Sequence, residues 1–222
     1  MPDGGGVSLE VQAESICIGW VAARECRVAS SDASLLAEIE GAKNLALSTA
    51  DSPESTARKS AVRDMLRHGT YKPTGRGKPA SEYLFKAAAD GAFPIINNLV
   101  EINNLVSLGQ LLPISLVDLG RAGCAAFVVR WGREGESYVF NPSGQVLELR
   151  DLLLVSRMPG DEPCASPIKD GQAAKTHDGT REVLGVLYAP VALRQAASEG
   201  ARRMAELLTF YCGAVTQWGI LP

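Results

Sequence analysis

The first half of the chain alternates between two periods of hydrophobic residues. Apolar side chains recur at every second position in 7–11 and crowd 16–28, which predicts two strands. In 32–47, in the segment after Pro53, in 79–91 and in 95–108 they recur at helical spacing, which predicts four helices. Gly69 and Gly91 stand where the second and third of these helices are expected to end.

The second half is dominated by short β-rich segments. Strands are predicted at 125–131, 136–141, 145–149, 152–155 and 183–191, a loop at 158–180, and a closing helix at 193–211. Strands and helices do not alternate, which is typical of an α+β fold with mixed or antiparallel sheets and helices packed to one side. For 222 residues we expect one domain over 7–222, preceded by a disordered tail at 1–6.

The helix predicted at 95–108 has an unusual composition. An apolar stripe through Ile95 and Leu99 faces away from a polar stripe through Asn97 and Asn104, and Asn103 lies on the flank of the apolar side. Four asparagines oppose helix propensity, and a buried amide without a partner costs free energy. Local rules broken in this way often mark a functional site.

Charge is distributed unevenly along the chain. The whole sequence carries −3, but residues 58–86 hold eight basic and two acidic side chains, so this stretch is +6 and the rest is −9. The loop at 70–79 carries Lys72, Arg76 and Lys78, which we expect to contact nucleic-acid phosphates, and Tyr71, which is placed to stack on a base. The alternative is a solvated surface, above all for the basic residues on the helices.

Several classes of protein are excluded by what the sequence does not contain. Five cysteines without a CxxC pair and only two histidines argue against a disulfide framework and a zinc centre, so we expect no metal and no cofactor. The sequence has no HExxH, GxSxG or Walker A motif. It shows no signal peptide and no apolar run long enough for a membrane span, so a cytoplasmic protein is expected.

Three blocks of sequence carry a family resemblance. The run GAFPIINNLVEINNLVSLGQLLPISLVDL at 91–119, the segment GTYKPTGRGKPASEYL at 69–84 and the segment PIKDGQAAKTH at 167–177 occur in that family's order. Over roughly residues 15–190, the chain resembles the B3/B4 tRNA-binding and editing domain of the bacterial phenylalanyl-tRNA synthetase beta subunit. Since nothing here corresponds to the synthetase core, the resemblance implies either hydrolysis of mischarged aminoacyl-tRNA in trans or binding without chemistry.

The resemblance also implies a pocket between the helices and a sheet. It places Asn103, Asn104 and Ser115 there to hold water and the reacting carbonyl, with Ser115 where the family commonly has a histidine. An acidic residue that reads a tyrosine hydroxyl in the family is absent from 184–186. His177 is a candidate acid or base in a polar loop. The candidate substrate- and RNA-binding residues are Tyr71, Lys72, Thr74, Arg76, Lys78, Asn97, Asn98, Lys169, Asp170, Lys175 and Thr176.

Three functions stay open on the sequence alone. The first is a deacylase that acts on mischarged aminoacyl-tRNA, with the amino-acid moiety in the pocket and tRNA as partner. The second is a tRNA- or RNA-binding module without catalysis. The third is a small-molecule amino-acid enzyme that reuses the same pocket. No membrane partner is expected, and the sequence does not determine the oligomeric state.

Overall fold

The computed structural model describes residues 6–222, so residues 1–5 of the predicted tail lie outside the described part. In chain order its elements are β1 (Ser8–Val11), β2 (Ile16–Arg24), α1 (Ala33–Ser48), α2 (Pro53–Met65), α3 (Ala80–Ala89), α4 (Asn98–Gln110), β3 (Ile114–Asp118), α5 (Leu119–Ala122), β4 (Ala126–Trp131), β5 (Ser137–Val139), β6 (Val146–Glu148), β7 (Leu153–Arg157), β8 (Glu162–Ala165), β9 (Val183–Pro190), α6 (Arg194–Cys212) and β10 (Val215–Leu221). Within 6–222, no helix has both the length and the apolar content to cross a membrane.

The predicted α+β class is confirmed. A central antiparallel sheet has the strand order β10-β2-β9-β3, and a second sheet has the order β1-β4-β7-β8, in which only β1 and β4 pair in parallel. Strands β5 and β6 form a separate hairpin. The sheets are therefore mixed and antiparallel, as the sequence pattern predicts.

Alternation along the central strands determines what each face contacts. On β2, Ile16 and Ile18 point into a core shared with Phe127 and Val155 of the second sheet. Val21 and the other side chains of opposite parity face a second core, which includes residues of α1, α3, α4 and α6. Because successive side chains of a strand point to opposite faces, β2 and β9 are buried on both sides.

Polar caps and a proline begin the first two helices where the sequence predicts them. The Asp32 carboxylate accepts from the Leu35 N–H, and the Ser52 hydroxyl accepts from the Ser55 N–H just before Pro53. Helix α2 ends at Met65, earlier than predicted, and Gly69 with φ +49° lies beyond its end. Its left-handed conformation therefore serves the following turn rather than the helix cap.

Helix α4 differs from the expectation in both its start and its burial. It begins at Asn98 rather than near Ile95, which is 59% exposed and does not belong to an inward stripe. The helix packs against α1, α3, α6 and β3, so its polar residues are buried as completely as its apolar ones. The predicted polar stripe therefore faces other parts of the protein instead of bulk solvent.

Three strands were not predicted. β3, β8 and β10 are short or contain proline, glycine and polar residues, and each is paired to a neighbour by sequence-distant contacts. Strand β2 also ends at Arg24, four residues before the predicted boundary, next to Glu25 with φ +60°. Of these corrections, β3 matters most for function, because it forms one wall of the site described next.

Candidate functional site

A cleft of about 830 Å³ opens between the helical layer and the loop at 168–176. Its walls come from α3, the segment 92–97, the first half of α4 and the start of β3. Eight of the fifteen candidate residues line it together: Arg76, Asn97, Asn103, Asn104, Lys169, Asp170, Lys175 and Thr176. This volume falls in the range of about 300–1,000 Å³ that is typical of small-molecule sites.

Asn103 and Asn104 form a pair of amides on the α4 wall. The Asn103 Nδ2 donates to the Asn104 Oδ1 at 3.3 Å, and both side chains are more than nine-tenths buried. The Asn103 Oδ1 is buried and accepts no hydrogen bond from residues 6–222. The pair therefore leaves an unused acceptor on Asn103 in the wall of the cleft, which is costly unless a ligand or water donates to it.

Asp170 is held rigidly at the opposite side of the cleft. Its Oδ2 accepts from the Leu116 N–H of β3 at 3.2 Å, and its Oδ1 accepts from the Ser166 N–H at 3.4 Å. Burial raises the pKa of this carboxyl to about 6, although the Ser115 hydroxyl and the two N–H groups act in the opposite direction. At neutral pH the group is still mostly ionised.

The two lysines nearest to Asp170 in sequence are engaged elsewhere. The Lys175 Nζ donates to the Phe140 carbonyl at 2.6 Å, and the Lys169 Nζ lies 4.0 Å from the centre of the Phe140 ring. Burial lowers the pKa of Lys175. Both ammonium groups are thus directed at Phe140, while parts of their side chains line the cleft.

The basic loop lies at the mouth of the cleft. The Tyr71 hydroxyl donates to the Gly77 carbonyl at 2.7 Å, and the Tyr83 hydroxyl of α3 donates to the Gly75 carbonyl at 3.0 Å. These bonds hold the loop against α3, where Arg76 is exposed and lines the cleft. Within residues 6–222 no acidic side chain pairs with Lys72, Arg76 or Lys78, so these cations are available to a ligand.

The remaining basic residues of 58–86 behave differently. Arg58 pairs with Glu54, Arg67 with Asp64 and Lys86 with Asp90, each within a single helix or at its end. Arg63 pairs with Glu82 across two helices, and Lys59 lies over the Phe85 ring. Much of the +6 charge is therefore neutralised on the helices, and the loop keeps what is available to an anion.

Asn97 and Asn98 have separate roles. The Asn97 side chain accepts from the Val100 N–H, caps α4 and also lines the cleft. The Asn98 amide donates to the carbonyls of Arg27 and Tyr211 and accepts from the Ala29 N–H. Asn98 is thus a buried structural tie between α4 and other segments, and its expected part in binding is corrected accordingly.

Ser115 does not line the cleft, contrary to the expectation. Its neighbours Ile114 and Leu116 face the cleft, so the period of two on β3 turns Ser115 toward the core between the sheets. There its hydroxyl lies 2.8 Å from the Tyr188 hydroxyl and 3.2 Å from the Ser166 carbonyl. It contacts the site only through Asp170.

His177 also lies outside the cleft. Its Nε2 is 3.4 Å from the Asp118 carboxylate, and its Nδ1 accepts from the Gly179 N–H. The same carboxylate accepts from the Arg121 N–H at the start of α5 and from the Thr180 hydroxyl. His177 therefore supports a local capping cluster, and its expected role as acid or base in the pocket is corrected.

Tyr71, Lys72, Thr74 and Lys78 are not part of the cleft lining. Tyr71 is half-buried against the core between the sheets, and burial raises the pKa of its phenol to about 12. Its hydroxyl is already bonded within the loop, so the structure gives it a structural role in place of base stacking.

An apolar wall completes the cleft and was not identified from the sequence. It consists of Tyr83, Leu84, Ala87, Pro94, Ile96, Val100, Ile114, Leu116 and Ile168. The signal that would have found part of it is the short β-branched run after Pro113, which continues into β3. An apolar surface beside convergent polar groups is the usual composition of a ligand site.

Residues 6–222 contain no group of three or more His, Cys, Asp or Glu side chains arranged to hold a metal ion. All five cysteines are free thiols, and burial raises the pKa of Cys164 to about 12. No model of a known protein family matches the chain, and comparison with curated proteins gave no match.

Proposed function

We propose that this chain binds the acylated 3′ end of a tRNA and hydrolyses the ester that joins a wrongly attached amino acid to it. One observation carries the proposal: a single cleft combines an apolar wall, the Asn103–Asn104 amide pair with an unused acceptor, and the exposed cation of Arg76. An aminoacyl nucleotide needs these three features, for its side chain, its ester and its phosphates.

The chemistry requires a positioned water and a donor to the carbonyl. The water oxygen attacks the ester carbonyl carbon, the bond from this carbon to the ribose oxygen breaks, and the ribose hydroxyl leaves with a proton. In this proposal, the free Asn103 Oδ1 accepts from the attacking water and the Asn104 Nδ2 donates to the developing oxyanion. The neighbouring ribose hydroxyl assists proton transfer, so a histidine in the cleft is not required.

Arg76, Lys72 and Lys78 would contact the phosphates that precede the terminal nucleotide. The loop bonds made by Tyr71 and Tyr83 keep these cations at the entrance, so the RNA strand would enter there. A cytoplasmic location belongs to the same proposal, since free buried thiols are usual in a reducing compartment.

The proposal is tested by deacylation of purified mischarged tRNAs. We expect ester loss with wild type and a decrease in kcat of about 10²- to 10³-fold in Asn104→Ala, which removes a donor to the oxyanion. Asn44→Ala is the matched control, because Asn44 is exposed on α1, away from the residues that line the cleft. Equal rates for Asn104→Ala and Asn44→Ala would contradict this role of the amide pair.

A second candidate is a tRNA-binding module without turnover. The observation that favours it is the placement of Ser115 and His177, which leaves no histidine or serine among the described residues that line the cleft. Salt-dependent binding of both charged and uncharged tRNA, with no ester loss, would support this alternative. A small-molecule amino-acid enzyme would instead keep its activity in Lys72→Ala and Arg76→Ala and would not bind tRNA at physiological salt.

A further inference from the structure

Asp170 is the one acidic side chain among the described residues that line the cleft. Carboxylates in such a place are ordinarily neutralised by an ion pair or removed from the site, because burying an unpaired charge is costly. Here the carboxylate is retained and oriented by two backbone N–H groups, from Leu116 and Ser166.

The cations near Asp170 do not pair with it. The Lys175 Nζ is bonded to the Phe140 carbonyl, and the Lys169 Nζ is placed over the Phe140 ring. Lys175 contributes only a longer-range attraction to the carboxyl. An anion is thus positioned in the cleft while its two neighbouring ammonium groups are held by another residue.

We propose that Asp170 binds the α-ammonium group of the aminoacyl moiety, so that the protein accepts esters with a free amino group and rejects N-acylated ones. This inference rests on the proposed function. A primary ammonium group supplies both the missing charge and the missing donors, whereas an N-acyl amide supplies no charge and adds bulk beside the carboxylate. Peptidyl-tRNA and formylated initiator tRNA belong to the rejected class by their chemistry.

The test compares one mischarged tRNA with the same tRNA after acetylation of its amino group. For wild type we expect hydrolysis of the N-acetyl ester to be slower by about 10- to 100-fold, the range for a lost hydrogen bond to a charged group. In Asp170→Asn the free-amine rate falls toward the N-acetyl rate, so the discrimination is lost. The control Asp178→Asn, at an exposed position outside the cleft lining, keeps it.

Equal wild-type rates on the two esters would overturn this inference and leave the deacylase intact. If neither ester is hydrolysed, the proposed function fails, and binding decides the inference by itself. The probes are then 3′-aminoacylamino-3′-deoxyadenosine and its N-acetyl form, measured by calorimetry. Tighter binding of the free amine that disappears in Asp170→Asn supports the inference, and equal binding or no binding of the two probes refutes it.

Discussion

At the scale of single residues, one residue type has several fates in this molecule. Asn98 uses its amide on backbone groups and Asn97 caps α4, whereas the Asn103 Oδ1 has no partner in residues 6–222. Buried polar atoms are nearly always paired, so the exception in a cleft wall points to a ligand. The identity of the residue does not distinguish these cases, because the distinction depends on which groups come near it.

Arg130 illustrates a charge that serves stability. Its side chain is 4% exposed and pairs with Glu136 and Asp161. Arg130→Met leaves two carboxylates without their buried cation, and we expect the free energy of unfolding to fall by about 3–5 kcal/mol. Urea unfolding measures it. Arg150→Met, at an exposed pair with Glu134, should cost less than about 1 kcal/mol, and similar losses in both variants would contradict this interpretation.

Asp170 predicts a pH dependence of stability with a definite sign. The pKa of its carboxyl is raised from 3.8 to about 6, so between these values the folded state holds a proton that the unfolded state has released. The stability of wild type relative to Asp170→Asn should therefore fall as the pH rises from about 4 to 6 and stay level above that range.

The groups around Asp170 do not titrate in this window. Lys175 stays charged, and the raised pKa values of Tyr138, Tyr188 and Cys164 keep these groups neutral. Thermal unfolding of both proteins across the pH range gives the difference. A difference that is flat or that rises with pH would show that the carboxyl is not perturbed as described.

At the scale of elements, close packing of α6 against the central sheet depends on a glycine. A Cβ at Gly19 of β2 would lie 2.7 Å from the Ala197 carbonyl oxygen of α6, which is backbone and does not yield as a flexible side chain does. Helix α6 in turn packs against α4, which carries the amides of the cleft. The spacing at Gly19 therefore contributes to the position of the whole helical layer.

Gly19→Ala should lower the free energy of unfolding by about 1–3 kcal/mol, since the added methyl group forces α6 away from β2. Gly41→Ala is the matched control: Gly41 is exposed in α1 and a Cβ there meets nothing within 4 Å. We expect the control to gain about 0.5–1 kcal/mol from helix propensity. Chemical denaturation measures both, and a stable Gly19→Ala protein would rule out the proposed close contact.

At the scale of the whole molecule, the distribution of free charge differs from the distribution of formal charge. The chain is −3 overall, and the basic stretch 58–86 is neutralised on its helices by ion pairs such as Arg58–Glu54 and Lys86–Asp90. Cations without partners in the described residues remain on the loop at the cleft mouth. The long-range attraction for RNA is therefore expected at one entrance.

Binding of tRNA should weaken steeply with salt, and Arg76→Ala should reduce the slope of log K against log salt by about one phosphate contact. Arg202→Ala is the control, because Arg202 is exposed on α6 and pairs with Glu206 outside the cleft. Filter binding or fluorescence anisotropy at several salt concentrations measures the slopes. An unchanged slope in Arg76→Ala would remove this residue from the RNA contact.

The hydrophobic pattern alone determined the α+β class, the places of most helices and strands, and the importance of α4, because these depend on local periodicity. Sequence also indicated the loop cations, since a proline- and glycine-rich segment leaves charged side chains exposed. It did not determine that Ile114 and Leu116 face the cleft while Ser115 faces the core. That depends on β3 pairing with β9, a residue-by-residue register that distant segments decide.

Tertiary structure alone also separated the asparagines and oriented the lysines. Whether Asn103 lacks a partner, or whether Lys169 and Lys175 turn toward Phe140 instead of Asp170, follows from side chains that are remote in sequence and close in space. Hydrogen bonds and ion pairs act over a few ångströms, so the chemistry of the cleft is decided only when the layers pack.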